Sequence, residues 1–123
     1  KLRFANAAHN PPLLWRGSTK KIIKLDAEGY IIGLQKDAEY QCGEIQLESS
    51  DTILYYTDGI TETSNSSGER FGEENLINIF TTLCKKALSS QNILNEIFNT
   101  LDKYSGNKKT LDDDASIVIF KLE

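Results

Sequence analysis

The chain has 123 residues, a net charge of −4 and an unexceptional balance of 39% hydrophobic and 26% charged residues. That balance excludes a disordered or fibrous chain and suits one globular domain or part of one. Basic residues pair only as Lys20-Lys21, Lys85-Lys86 and Lys108-Lys109, which argues against a nucleic-acid surface, and no apolar run approaches the roughly 18 residues that span a bilayer.

The chain opens at Lys1-Leu2-Arg3-Phe4, without an initiator Met and in what reads as the middle of a strand. We expect a piece of a longer protein. Phe4 to Ala7 is a short strand candidate, and Pro11-Pro12 breaks the ladder and forces extended backbone. Leu13 to Arg16 pairs with Ile22 to Leu25 across a Gly17-Ser18 turn. Asp26 to Gly29 makes another turn, and Ile31-Ile32-Gly33-Leu34 follows as a further apolar stretch of this half, which reads as β throughout. Cys42 and Cys84 fit no zinc spacing; they read as unpaired, buried or partly buried thiols, in keeping with a reducing, cytoplasmic location. Glu44 to Leu47 is a further strand. Thr52 to Thr57, β-branched and aromatic throughout, is the best strand of the first half.

The second half turns helical. Leu76, Ile77, Phe80, Leu83, Cys84, Ala87 and Leu88 form an apolar stripe of helical period. Gly72, Glu73 and Glu74 suit its N-terminus, where the dipole favours acid. Ser89 or Ser90 caps a second helix with the stripe Ile93, Leu94, Ile97, Phe98, Leu101 and Tyr104, ended by Gly106-Asn107. Ala115 to Phe120 then reads as a strand buried on both faces. Strands, two helices and a returning strand describe an α+β layered domain.

Two acidic clusters stand at strand ends: Thr57-Asp58-Gly59 after the best strand, and Asp112-Asp113-Asp114 before the last one. Alone, Asp-Gly is most often a turn, and an acidic run most often a solvated loop. Together they are more informative. Two carboxylates ~4 Å apart repel by about 1 kcal/mol in water and about 4 kcal/mol at an effective dielectric of ~20. No basic residue is interleaved with either cluster, so a cation would relieve the repulsion. All-oxygen donors suit Mg²⁺ or Mn²⁺ better than zinc. His9, the only histidine, has two readings: with Asn10 it fixes the turn before Pro11-Pro12, or it meets phosphate at the mouth of a site. No nucleophile elbow, P-loop or dinucleotide fingerprint is present.

These motifs resemble a family. Asn6-Ala7-Ala8-His9-Asn10-Pro11-Pro12 is similar to the Asn-Ala-Gly-His-Asn-Pro-Pro segment of bacterial metal-dependent protein phosphatases of the SpoIIE and RsbU type, within the PPM (type 2C) phosphatases. Asp51 to Glu62 is similar to their strand and Thr-Asp-Gly-Val-Thr-Glu motif. Gly68-Glu69-Arg70-Phe71-Gly72 resembles their Gly-Glu-x-Phe-Gly, and Asp113-Asp114-Ala115-Ser116 their closing Asp-Asp-x-Thr. The resemblance runs from about Phe4 to Leu122.

It implies an αββα fold, an antiparallel β-sandwich flanked by helices, of which residues 1–123 form the C-terminal part with the N-terminal portion missing. It implies a site for two Mn²⁺ or Mg²⁺ ions, with Asp58 and Asp113 as ligands and with Gly59, Asp114, His9 and Asn10 supporting. Asp112 has no assignable counterpart. The implied reaction is direct hydrolysis of phosphoserine or phosphothreonine by an in-line water, with no covalent phosphoenzyme. The implied substrate is a phosphorylated regulatory protein, such as an anti-sigma-factor antagonist, and an upstream sensor or regulatory domain is expected. Ala8 replaces the family's Gly and Ser116 its Thr. The family's earlier Gly-Asp pair, whose Asp bridges both metals, has no counterpart here, which leaves open a non-catalytic interaction module of the same fold.

Overall fold

The computed structural model describes residues 1–106 and 113–123. The strongest strand of the sequence reading, β5 (Thr52–Tyr56), lies in the interior of a four-stranded sheet. Its neighbours are β2 (Leu13–Arg16) on one side and β6 (Ile117–Lys121) on the other, and β3 (Lys21–Lys24) pairs with β2 at the far edge. All three pairings are antiparallel. A separate two-stranded ribbon joins β1 (Leu2–Phe4) to β4 (Gly43–Ile45).

Side-chain alternation divides the sheet between two apolar clusters. Leu13, Trp15, Leu54 and Tyr56 face α2 (Gly72–Lys85) and α3 (Ser90–Tyr104), whose Leu76, Phe80, Leu83, Ile93, Ile97 and Leu101 complete the main core. Leu14, Ile53 and the adjoining Leu25 form the second cluster, against Leu2, Phe4, Ile45 and Leu47 from the ribbon and its continuation. The layers are therefore helices, a four-stranded sheet and a smaller sheet, an α+β arrangement with sheets packed face to face and helices outside.

The helices follow their predicted stripes. Ser89 caps α3, its Oγ accepting from the Asn92 N–H at 3.2 Å, and Glu73 and Glu74 occupy the first turn of α2. Both cysteines are free; Cys84 is half-buried as expected, whereas Cys42 is exposed.

Three expectations change. The first strand is Leu2–Phe4 rather than Phe4–Ala7, because Asn6 turns the chain: its side-chain amide donates to the His9 carbonyl at 2.8 Å and its Oδ1 accepts from the His9 N–H at 2.7 Å. Ile31-Ile32-Gly33-Leu34 lies in an exposed turn, with Gly33 at φ +87°. The last strand is not buried on both faces. Ile117 and Ile119 pack on the helical core, but β6 is an edge strand and Val118 and Phe120 stay 51% and 54% exposed.

Candidate active site

The candidate site is built where β5 ends and β6 begins. Tyr56 and Ile117 are register partners, so the chain leaving β5 and the chain entering β6 run side by side. The contact continues past the ladder. The Thr57 N–H donates to the Ser116 carbonyl at 3.1 Å, and the Ser116 N–H donates to Thr57 Oγ1 at 3.0 Å. Thr57 Oγ1 also lies 3.4 Å from the Asp114 carbonyl oxygen as a donor. Ser116 thus joins through its backbone, so its replacement of the family's Thr leaves these bonds intact.

Asp58 opens the one-turn helix α1 (Asp58–Thr61). The bland turn reading of Asp-Gly is replaced by a helix start, where a carboxylate is favoured by the unpaired N–H groups. The Asp58 carbonyl accepts from the Glu62 N–H at 2.8 Å and from Thr61 Oγ1 at 3.2 Å. Thr63 Oγ1 donates to the Gly59 carbonyl at 2.8 Å. These bonds fix the backbone and leave the exposed Asp58 carboxylate without a hydrogen bond or ion pair among the described residues.

Gly59 sits directly against the other segment. A Cβ there would meet the Asp114 carbonyl oxygen at 2.2 Å and the Ala115 Cα at 3.3 Å. Asp113 is exposed, and its Oδ1 accepts from the Asp114 N–H at 2.7 Å. Gly59, Glu62, Ser64, Arg70 and Asp113 line one cleft. The structure therefore brings together the Asp58-Gly59 and Asp113-Asp114 segments. Asp112 lies outside the described residues.

His9 and Asn10 lie in the turn that leads into β2, whose Leu13 is the register partner of Leu54 in β5. The His9 backbone is bonded to Asn6, and its ring Nδ1 lies 3.1 Å from the Asn10 carbonyl oxygen. These are bonds of the turn-fixing kind, and none of them reaches residues 57–59 or 113–116. Glu62 and Arg70 were inside the motifs read from the sequence, but no role was assigned to them. Arg70 fills the variable position of Gly-Glu-x-Phe-Gly, and only the folded chain reveals which cleft that position enters.

The donor chemistry is all-oxygen, the kind a hard divalent cation takes. In number it falls short: among the described residues, no group of three or more His, Cys, Asp or Glu side chains is arranged to hold a metal. Asp58 and Asp113 fit part of such a site.

The sequence profile of the family Stage II sporulation protein E (SpoIIE) matches residues 1–123. The chain belongs to the SpoIIE family. This SpoIIE-family chain is 27% identical over 120 residues to the phosphoserine phosphatase RsbU of Bacillus subtilis (strain 168), covering 96% of this chain and 34% of that protein. Its fold matches the SiaA-PP2C domain of Pseudomonas aeruginosa with a TM-score of 0.74 at 20% identity, over 98% of this chain and 47% of that one. It also matches the structure of the RsbU and RsbW domains of Rv1364c from Mycobacterium tuberculosis, with a TM-score of 0.73 at 18% identity, over 98% and 32% of the two chains. The SpoIIE-family chain thus spans about a third of RsbU and less than half of the SiaA domain chain. The resemblance read from its motifs is borne out as family membership, and the α+β expectation as the fold of PP2C-type phosphatase domains.

Proposed function

We propose that the protein carrying this chain is a metal-dependent protein phosphatase acting on phosphoserine or phosphothreonine of a regulatory protein. In this reading residues 1–123 are the C-terminal part of a single SpoIIE-type phosphatase domain, working in the cytoplasm. The observation that carries it is the close approach of Gly59 to Asp114, which sets two carboxylate-bearing segments side by side at the ends of β5 and β6. Family membership over the whole chain supports it.

Asp58 and Asp113 are the proposed ligands for Mn²⁺ or Mg²⁺, completed by a carboxylate from elsewhere in the domain. Asp114 and Gly59 hold the two segments in register, and His9 and Asn10 brace the preceding turn. When bound, a pair of divalent ions supplies an activated water and neutralises charge on the phosphoryl oxygens. The contribution of this chain is to fix one wall of that site. Thr57 and Ser116 lock its backbone, the Asp58 side chain remains exposed, and Asp113 lines the cleft.

The second reading, a non-catalytic interaction module of the same fold, turns on the family's Gly-Asp pair, which residues 1–123 do not carry. A Gly-Asp pair closing an upstream strand would support the enzyme, and its absence the module. The direct test is Mn²⁺-dependent phosphate release from a phosphoserine protein by the complete protein. Asp58→Asn and Asp113→Asn should each reduce the rate by at least ~100-fold, the order of effect seen when support of a metal site is lost. An unchanged rate in either variant would remove that residue from the ligand set.

A further inference from the structure

Among the described residues, Arg70 is the basic side chain that lines the cleft beside Asp113, and its backbone is fixed from two sides. Gly59, Glu62, Ser64, Arg70 and Asp113 line it. Glu62 and Asp113 make the cleft acidic, and an anionic phosphate ester entering it gains from positive charge beyond that of the proposed metal ions. Arg70 brings that charge on a fixed backbone. Ser64 and Arg70 form an antiparallel β-bridge. The Phe71 N–H donates to the Thr63 carbonyl at 2.8 Å. From the other side, Tyr104 Oη donates to the Glu69 and Arg70 carbonyls at 3.1 and 3.2 Å, while its ring meets buried Phe71 edge-on at 5.2 Å.

The guanidinium is held by one bond, Nη1 to Glu62 Oε1 at 2.8 Å. Glu62 in turn is tied by its N–H to the Asp58 carbonyl. A guanidinium has five N–H donors in a planar fork suited to phosphate. Among the described residues Glu62 engages Arg70 through Nη1 alone, which leaves Nε and Nη2 without a partner. An exposed Arg–Glu pair contributes little to stability, about 0–1 kcal/mol, so stability alone is a weak reason for so fixed a mount.

We infer that Arg70 is a substrate-binding residue, its guanidinium hydrogen-bonding the phosphoryl oxygens of the phosphorylated side chain while the Ser64 bridge and Tyr104 hold its backbone at the cleft it shares with Asp113. This rests on the phosphatase reading above. No bond is made or broken by Arg70, and its effect is on binding.

The test uses the complete protein with Mn²⁺, p-nitrophenyl phosphate as substrate and inorganic phosphate as product inhibitor. Arg70→Ala should raise KM and the phosphate inhibition constant together by about 10- to 100-fold, the equivalent of a charge-assisted hydrogen bond, with a smaller loss in kcat. Arg70→Lys should recover part of both. Glu62→Gln removes the ion pair but keeps the guanidinium and one less anion in the cleft, so KM should stay level or fall. Arg70→Ala with unchanged KM and inhibition constant would overturn the inference, as would Glu62→Gln matching Arg70→Ala. Wild-type activity that Asp58→Asn abolishes and Arg70→Ala spares would refute Arg70 alone. Wild-type protein that releases no phosphate would refute both the phosphatase reading and the role of Arg70.

Discussion

A Cβ on Gly59 would lie 2.2 Å from the carbonyl oxygen of Asp114, so the missing side chain at 59 is what lets the Asp58 and Asp113 segments touch. Gly59 lies in α1, where Ala would ordinarily be favoured by up to about 1 kcal/mol. Here the clash is with backbone, which cannot swing aside, and overpacking of this kind costs about 1–3 kcal/mol. Gly59→Ala should therefore lower stability despite its better helix propensity. It should also weaken Mn²⁺ binding in the complete protein by at least ~10-fold, because it separates the two carboxylates. Urea unfolding and calorimetric titration measure the two effects. A variant as stable and as tight as wild type would mean that the two segments are not held together at this point.

Ala8 stands where the family carries Gly, and its φ is +59°. An L-residue with a Cβ pays roughly 1–2 kcal/mol for that left-handed conformation, while Gly gives back part of the difference through its freer unfolded chain. Ala8→Gly should raise stability by about 0.5–1 kcal/mol, seen as a higher urea midpoint at unchanged slope. Since the Asn6–His9 bonds already fix the turn, activity should change little. A lower midpoint would show that the unfolded-chain entropy outweighs the relief of strain.

What could be read from the sequence divides along local and non-local lines. The helix stripes, the Ser89 cap and the strand that precedes Asp58 depend on neighbours within a few positions, and they appear where expected. The pairing of Asp58 with Asp113 depends on β5 lying beside β6, which periodicity alone does not specify; the order of the motifs carried it. Arg70 was visible as a residue but not as part of a cleft, because the Ser64 bridge and Tyr104, 34 positions away, decide where it sits. Val118 and Phe120 were misjudged for the same reason. A run that is apolar throughout reads as buried on two faces, yet whether a second face is covered depends on what packs there, and the β1–β4 ribbon lies over Leu14, Leu25 and Ile53 instead.

Arg16 and Asp51 form a buried ion pair, with Asp51 fully buried and its Oδ2 3.1 Å from Arg16 Nη1. Nη1 meets Asp51 and Glu48 by charge rather than through aligned hydrogen bonds, while Nη2 donates to the Gln46 carbonyl at 3.0 Å. Asp51 also accepts from the N–H groups of Gly17 and Glu48. Removing Asp51 leaves Arg16 with Glu48 alone and two N–H groups without their acceptor, at a cost of about 1–3 kcal/mol. Asp51→Ala should show that full loss. Asp51→Asn, which keeps an acceptor for one of the N–H groups, should lose less. Equal and small effects for both, measured by urea unfolding, would mean that Arg16 finds solvent when Asp51 is removed.

Glu73 ties three elements at the mouth of the core. Lys24 Nζ of β3 lies 2.5 Å from Oε2, and buried Tyr56 Oη of β5 donates to Oε1 at 3.1 Å. The Lys24 hydrogen bond leads in holding the Glu73 carboxyl below the usual range; partial burial opposes it, and Tyr56 reinforces it. Burial, followed by the charge and hydrogen bond of Glu73, holds the Tyr56 phenol above its usual range, so it remains the donor. A carboxyl depressed in the folded state gives stability that is fully present above its unfolded value, about 4.3, and is lost as pH falls through the folded value. Glu73→Gln should therefore cost about 0.5–1.5 kcal/mol at pH 7 and progressively less as pH falls below about 4.3 and through the lower folded value, where wild type itself loses the interaction. The side chain is 37% exposed, so added salt should shrink the Lys24 share of the difference. Urea midpoints of both proteins from pH 7 down to pH 3 measure it. Parallel pH profiles for the two proteins would mean that Glu73 gains nothing from being charged in the fold.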